Sequence, residues 1–595
     1  MCAIFGIVGP YDKTLALEAF AALAHRGPDR SGYVAGPGLF LGHHRLSVID
    51  PLPEADQPMR VGDNMTVLFN GEIYNYRELR EELGGAFATQ SDTEVLGRAF
   101  SRWKEAMPRH LRGMYAAAFW HEGALHLFRD PFGKKPLYYA QMDETFVFAS
   151  EIRAIRTMFP QIKWSREALT SYFSFQSFVS PETFFPEIRQ LEPGGYLRRE
   201  KGETTVHAEE ALPLSPSKRS MAIEAVEALI EESVRYRLVA DAPVGALLSG
   251  GIDSSLVAAM AQKERDTPLP TFTVGYEGYE KYDERRYAET VAEHIGSDHH
   301  AFVMTRDDFL RCAGAWVAHL DEPLGDPAAI PLWFLGEKIR EKGIKVVLTG
   351  DGADELFFGY RPYYEILDVE KAGDLKYRNW LRNYFRAHYS PNKEWEWYKR
   401  VFDGSVLFRS SAELFTDLQQ NTLLRQNVKD DTSAARLAPL TERFGTPEGA
   451  QWMSYVDLKV LLAEVFLKKL DRVTMAHGLE ARSPFLDRRL AGGLLACDPA
   501  WRMGDRPKWL LKEIAARWLP AGILARKKKG FSYPYMEWLI ESGELQTLYR
   551  VDAKLGLFRE EALDFYVERA QKGRFKHHLF ALWLLCKWLE THDMV

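Results

Sequence analysis

Cysteine is scarce in this chain. Four occur, at positions 2, 312, 497 and 586, and no two form a C-x-x-C pair. That usage excludes a disulfide framework and a thiolate zinc site and fits a reducing compartment. Long apolar runs are missing as well. A spanning helix needs about 20 mostly apolar residues, and the nearest approach, residues 579–589, is short and broken by Lys587. Residues 1–9 carry no basic stretch and no cleavage site, so they do not read as a signal peptide. There is no basic excess either. The 76 Lys and Arg stand against 83 Asp and Glu, a net charge of −7, which gives no electrostatic case for nucleic acid or an anionic membrane. The expected setting is the cytoplasm, with small molecules as partners.

Core-forming residues are plentiful. Hydrophobic residues make up 46% of the 595, ample for folded domains. The informative stretch is 244–255. An apolar run over 244–248 reads as a buried strand. Ser249, Gly250 and Gly251 follow, and Ile252, Asp253, Ser254 and Ser255 open a helical pattern continued by Leu256, Val257 and Met260. A strand that ends in a small-residue loop capping a helix suits a phosphate, because loop and helix N–H groups converge on the anion. No lysine follows the glycines, so this is not the Walker loop. The pattern resembles the SGGxDS loop of the PP-loop ATP pyrophosphatases. That resemblance implies cleavage of ATP between its α- and β-phosphates and an ATP site at Leu248, Ser249, Gly250, Gly251, Asp253, Ser254 and Ser255.

The amino-terminal half has its own signature. Cys2 follows the initiator Met and precedes a strand-like run over 3–8. Removal of the Met would leave a cysteine with a free α-amine of pKa about 8, able to act as base for its own thiol. Further along stand His25 to Gly32, then Gly42-His43-His44-Arg45-Leu46-Ser47-Val48, then Asn70-Gly71-Glu72 after a strand over 66–69. Thr89 to Glu94 opens a helix capped by Asp92 or Ser91. Arg129-Asp130-Pro131-Phe132-Gly133-Lys134-Lys135 comes later. Together these resemble the class II glutamine amidotransferase domain, an N-terminal-nucleophile hydrolase with an αββα sandwich. The resemblance implies that Cys2 attacks the glutamine amide and that Asn70 and Gly71 form the oxyanion hole. Arg45 would hold the glutamine carboxylate, with Leu46 and Val48 beside it, and Glu72 and Asp92 would hold its ammonium. His25, His43 and His44 read as structural.

Residues 201–220 are polar and contain proline, and they read as a linker. Beyond them strands and helices alternate, which argues for a parallel α/β sheet with ligands at the strands' carboxyl ends. Expected elements are a helix over 222–239, a strand over 270–276 and a helix over 287–295. A second glycine-rich acidic loop, Thr349-Gly350-Asp351-Gly352-Ala353-Asp354, follows an apolar strand. Carboxylates near a triphosphate require a cation between them. Mg²⁺ takes one or two carboxylates plus phosphate oxygens, and Asp253 with Asp354 is the expected pair.

From Val244 to Tyr360, and again from Val473 to Asp487 and through Lys508, Leu519-Pro520 and Lys528 to Phe531, the chain resembles glutamine-hydrolysing asparagine synthetases. That resemblance implies a second, PP-loop domain over 221–595 beside a glutaminase domain over 1–200. It implies Val274, Thr349 and Gly350 in the ATP site, Lys508 and Asp351 in catalysis, ATP and Mg²⁺ as cofactors, and a homodimer. The implied reaction converts aspartate to asparagine through β-aspartyl-AMP. The basic run 526–529 reads as a solvated face, with a place near pyrophosphate as the alternative.

Two departures stand out. Some members carry Glu where this chain has Asp351, one methylene shorter. Residues 361–450 form a long insertion, read as mainly helical, whose aromatic residues Tyr363, Tyr364, Trp380, Tyr384, Phe385, Trp395 and Trp397 read as core. The insertion lies between the matched blocks, so the alternative of the same chemistry on another carboxylate, in a secondary metabolite or surface glycan, stays open.

Overall fold

The computed structural model describes residues 2–208, 212–214, 216–526 and 532–595. The amino-terminal half is two stacked antiparallel sheets. In spatial order the first runs Ile188–Gln190, Tyr138–Met142, Thr145–Ala149, Ala3–Val8, Leu39–Arg45, Arg30–Gly36. The second runs Glu203–Ala208, Gly195–Glu200, Ala124–Arg129, Gly113–His121, Met65–Ile73, Met59–Val61. Ile4, Leu41, Phe148, Leu68, Ala116 and Leu127 form the apolar layer between them. The helices Lys13–Ala21 and Ile152–Met158 cover the first sheet, and Tyr76–Leu83 and Asp92–Trp103 cover the second. The result is the expected αββα sandwich. Strand Ala3–Val8 is buried over nearly its whole length, because a strand inside a sheet covered on both faces has no solvent side.

The segment 201–220 is not all linker. Glu203–Ala208 pairs with Gly195–Glu200 and extends the second sheet beyond position 200. It is an edge strand with mostly exposed side chains, so its polar composition concealed it. Farther on, Ser217 meets the second half of the chain, where its N–H donates to the Ala496 carbonyl at 2.9 Å.

The carboxy-terminal half is built on five parallel strands in the order Asp298–Met304, Pro270–Tyr276, Val244–Leu247, Val346–Leu348, Glu480–Arg482. Chain order runs outward on both sides of Val244–Leu247. The crevice at the carboxyl ends of that strand and Val346–Leu348 is therefore the topological switch point where ligands bind in such sheets. The helices Ile223–Arg237, Ile252–Lys263 and Arg285–Ile295 flank the sheet. Among the described residues no helix is long and apolar enough to cross a membrane.

The insertion 361–450 is helical, with Arg361–Glu370, Arg378–Ala387 and Lys393–Asp403 among its helices. Its aromatics divide. Tyr363 and Trp397 are buried as expected, but Trp380 is 65% exposed and Tyr384 39%. Helix Arg378–Ala387 lies on the surface, anchored by Phe385 against Trp395 with ring centroids 4.6 Å apart. Asp457 ties the insertion down by accepting from Tyr363 Oη at 2.7 Å and Ser410 Oγ at 2.6 Å.

The two halves meet through buried charge. Arg26 bonds Glu151 at 2.9 Å and Asp471 at 2.8 Å, Arg472 reaches Glu151 at 2.8 Å, and Lys135 reaches Asp471 at 3.3 Å. Arg112 pairs with Asp487 at 3.1 Å farther along the same contact.

Candidate active sites

The first site sits where strand Ala3–Val8 begins. Cys2 is buried, and its backbone N–H donates to Asn70 Oδ1 at 3.1 Å. This fixes the Asn70 amide and leaves Nδ2 buried with no hydrogen-bond partner. An unmet buried donor costs about 1–3 kcal/mol, a cost that any acceptor entering beside it would remove. Gly71 is required sterically, since a Cβ there would run into the Met114 carbonyl on the adjacent strand. Cys2, Arg45, Leu46, Val48, Gly71, Glu72 and Asp92 all line one cavity. Burial pushes the Cys2 thiol up, so the resting sulfur is protonated and its activation needs a base.

Arg45 lines that cavity with its guanidinium already engaged. Its Nη1 donates to Asp56 at 2.5 Å and to the Leu52 carbonyl at 3.0 Å, while Nη2 bonds the carbonyls of Ile49 and Asp50. The fork therefore organises the 49–56 loop, and gripping a carboxylate requires exchange of some of these bonds. Asp92 opens helix Asp92–Trp103, but Ser91 is the cap and accepts from Thr93 N–H at 3.0 Å. Asp92 Oδ2 instead accepts from Ile73 N–H at 3.0 Å. Burial lifts the Asp92 carboxyl to about 6, the Ile73 bond acting against it. Burial, and then the charge of Asp92, hold Glu72 well above the ordinary carboxylate range.

The three histidines are structural here. His43 bonds the Phe69 carbonyl at 3.1 Å and burial lowers it to about 3; His44 bonds the Phe20 carbonyl at 2.9 Å; His25 bonds Glu151 at 3.2 Å.

The second site occupies the switch point. Ser249, Gly250 and Gly251 link strand Val244–Leu247 to helix Ile252–Lys263. Ser254 Oγ lies 3.0 Å from Ser249 Oγ and accepts Ser249 N–H at 3.2 Å, which cinches the loop. Gly250 has φ +68, and a Cβ there would come within 2.5 Å of Tyr287 Cβ. Gly350 abuts Asp253 so closely that a Cβ would lie 2.9 Å from it. Leu248 N–H bonds the Phe272 carbonyl at 2.9 Å, Val274 lies two residues on, and Ser255 is buried at the helix start.

Lys508 closes the constellation. Its Nζ reaches Asp253 Oδ2 at 2.5 Å and Asp354 Oδ1 at 2.7 Å. Burial disfavours its charge, but the two carboxylates outweigh burial and raise it above the ordinary lysine range. Both carboxylates converge on the Lys508 ammonium; their oxygens are of the kind Mg²⁺ takes together with phosphate, and a Mg²⁺ held there would require Lys508 to move aside. Asp351 stands half-buried on the same loop. Arg526 is not solvated, for it donates to the Gly250 carbonyl at 3.1 Å and pairs with Glu284. Lys527, Lys528, Lys529, Gly530 and Phe531 lie outside the described residues.

Sequence reasoning assigned no role to Glu480 or Arg482. Glu480 belongs to the second half, yet it lines the cavity of the first site. Arg482 Nη2 pairs with Glu72 at 2.9 Å, and the Arg482 carbonyl accepts Thr349 N–H at 2.8 Å. One three-residue strand therefore borders both sites. Both residues stand in a matched block, but a contact across 410 positions leaves no local pattern.

The profile of the asparagine synthase family matches residues 225–592, and that of a glutamine amidotransferase domain matches residues 1–209. The chain is 31% identical to glutamine-hydrolyzing asparagine synthetase 1 of Bacillus subtilis, over 96% of this chain and 92% of that protein. It is 30% identical to asparagine synthetase 3 of the same organism, over 89% and 87%. It is 28% identical to the enzyme of Sandersonia aurantiaca, over 89% and 86%.

Proposed function

We propose, starting from a chain that belongs to the asparagine synthase family, that its acceptor is the β-carboxylate of aspartate. The chain is an ATP-dependent ligase with glutamine as nitrogen donor. In our reading residues 1–208 hydrolyse glutamine and residues 221–595 form the amide. The Cys2 α-amine, freed by removal of Met1, takes the thiol proton as the sulfur attacks the glutamine amide carbon, and then hands it to the departing nitrogen. Asn70 Nδ2–H and Gly71 N–H donate to the oxygen that becomes negative. The C–N bond breaks, ammonia leaves, and water cleaves the thioester to glutamate.

At the second site a carboxylate oxygen of aspartate attacks the α-phosphorus of ATP and pyrophosphate leaves. The loop from Ser249 to Ser254 cradles the phosphates through backbone N–H groups. Asp253 and Asp354 would hold Mg²⁺, which offsets phosphate charge. Lys508 stays beside the phosphates as charge passes to the leaving oxygen, and Asp351 accepts a proton from the attacking ammonia. AMP departs with the acyl C–O electron pair, and asparagine forms. Ammonia in water at pH 7 is mostly protonated, so it must travel between the sites within the protein.

The supporting observation is Lys508 set between Asp253 and Asp354 beneath the small-residue loop. The acceptor rests on relatives of that name that span nearly the whole chain. The test is pyrophosphate release from Mg-ATP and glutamine with and without L-aspartate, with asparagine detected by mass. Release that ignores aspartate while glutamine is still hydrolysed would discard aspartate and favour another carboxylate. The homodimer read from the family is checked by mass in solution.

A further inference from the structure

The glutamine pocket is not made by the amino-terminal half alone. Its wall includes Glu480, the first residue of strand Glu480–Arg482 in the other sheet. Glu480 is fully buried and held by its own strand neighbour, Arg482 Nε to Glu480 Oε1 at 2.6 Å. Its backbone N–H bonds the Lys345 carbonyl at 2.7 Å. Arg482 also grips Glu72 from the opposite domain, leaving Glu72 Oε1 buried without a hydrogen-bond partner. Three carboxylates, Glu72, Asp92 and Glu480, thus line one cavity whose arginine, Arg45, is already engaged by Asp56, with Arg482 behind Glu72 and Glu480, a set of acids that suits a cationic group of the bound molecule.

Building on the glutaminase reading above, we propose that Glu480 is a ligand of the glutamine α-ammonium, supplied to the glutaminase pocket by the synthetase domain. The three carboxylates are not equivalent. Burial holds Glu72 well above the ordinary range and lifts Asp92 to about 6. Burial also opposes charge on Glu480, but the Arg482 guanidinium prevails and keeps it at about 2. Glu480 therefore bears its charge before glutamine arrives, whereas Glu72 gains its own as the ammonium settles.

The test compares glutamine with glutaramate, the same amide lacking the α-amino group, in the full-length enzyme. Glutamate or glutarate release is measured for wild type, E480Q and E480D. We expect E480Q to raise the KM for glutamine tenfold or more at nearly unchanged kcat, with no matching rise for glutaramate. E480D keeps the charge with one methylene less reach and should give a smaller rise, again for glutamine only. It also serves if E480Q does not fold. Equal losses on both amides, or no change on either, would overturn the role of Glu480. Wild type that fails to hydrolyse glutamine would instead overturn the glutaminase reading itself.

Discussion

Asn70 divides its amide between two tasks. The oxygen is tied to Cys2, which orients the group, and the nitrogen is buried without a partner, as its proposed role toward the oxyanion requires. Asn70→Ala should therefore cut glutamine hydrolysis by about 10²–10³ in kcat, the usual cost of one such donor. Pyrophosphate release supported by added ammonium should be unchanged, and both rates are read in the same preparation. Asp92 gives a pH signature. Its folded pKa, about 6, lies above the ordinary 3.8. Between these values the folded chain holds a proton that the unfolded chain has lost, so Asp92 weighs against stability as pH rises through that window. A bound ammonium favours the charged form and reverses the effect. The kcat/KM for glutamine should fall about tenfold per unit below pH 6 on this group's account, and Asp92→Asn should flatten that limb of the profile.

That Cys2, Asn70, Gly71 and Asp92 come together was legible because each stands in a short motif whose neighbours are also dictated. The engagement of the Arg45 fork with its own loop was not legible, since carbonyl partners leave no trace in residue identity.

Among the elements, strand Glu480–Arg482 has the highest stakes. Arg482 is fully buried between Glu480 and Glu72. Breaking a buried ion pair by removing one partner costs about 3–5 kcal/mol. Arg482→Met should lose that much in guanidinium unfolding and weaken glutamine hydrolysis along with it. The exposed helix Arg378–Ala387 is the contrast. Trp380→Ala should stay within about 0.5 kcal/mol of wild type in the same assay, as surface substitutions do. Strands that end in phosphate or acidic loops could be read directly, because an apolar run followed by glycine and small polar residues has few other uses. Edge strand Glu203–Ala208 could not, because it buries almost nothing. The aromatics of the insertion misled for a related reason. Composition does not say that Leu381 and Phe385 face inward while Trp380 and Tyr384 face out.

At the scale of the molecule, the halves are joined by charge that neither could keep buried alone. Asp471 accepts both Arg26 and Lys135 from the amino-terminal half. Asp471→Ala leaves two buried cations short of a partner and should lower stability by about 3–5 kcal/mol. In calorimetry the wild type should unfold in one main transition, and the variant should separate into two.

The shared strand also bears on how such enzymes are recombined. An engineer who wished to fit this nitrogen-delivering half to a different ligase would naturally cut the chain in the polar stretch after Ala208. The transplanted half would arrive with Cys2, Asn70, Gly71 and two acidic groups, yet without Glu480 or the arginine paired with Glu72. The smallest portable unit is therefore discontinuous in the gene. It needs a strand encoded nearly three hundred codons downstream, and a host scaffold would have to present that strand in the same register beside its own nucleotide loop.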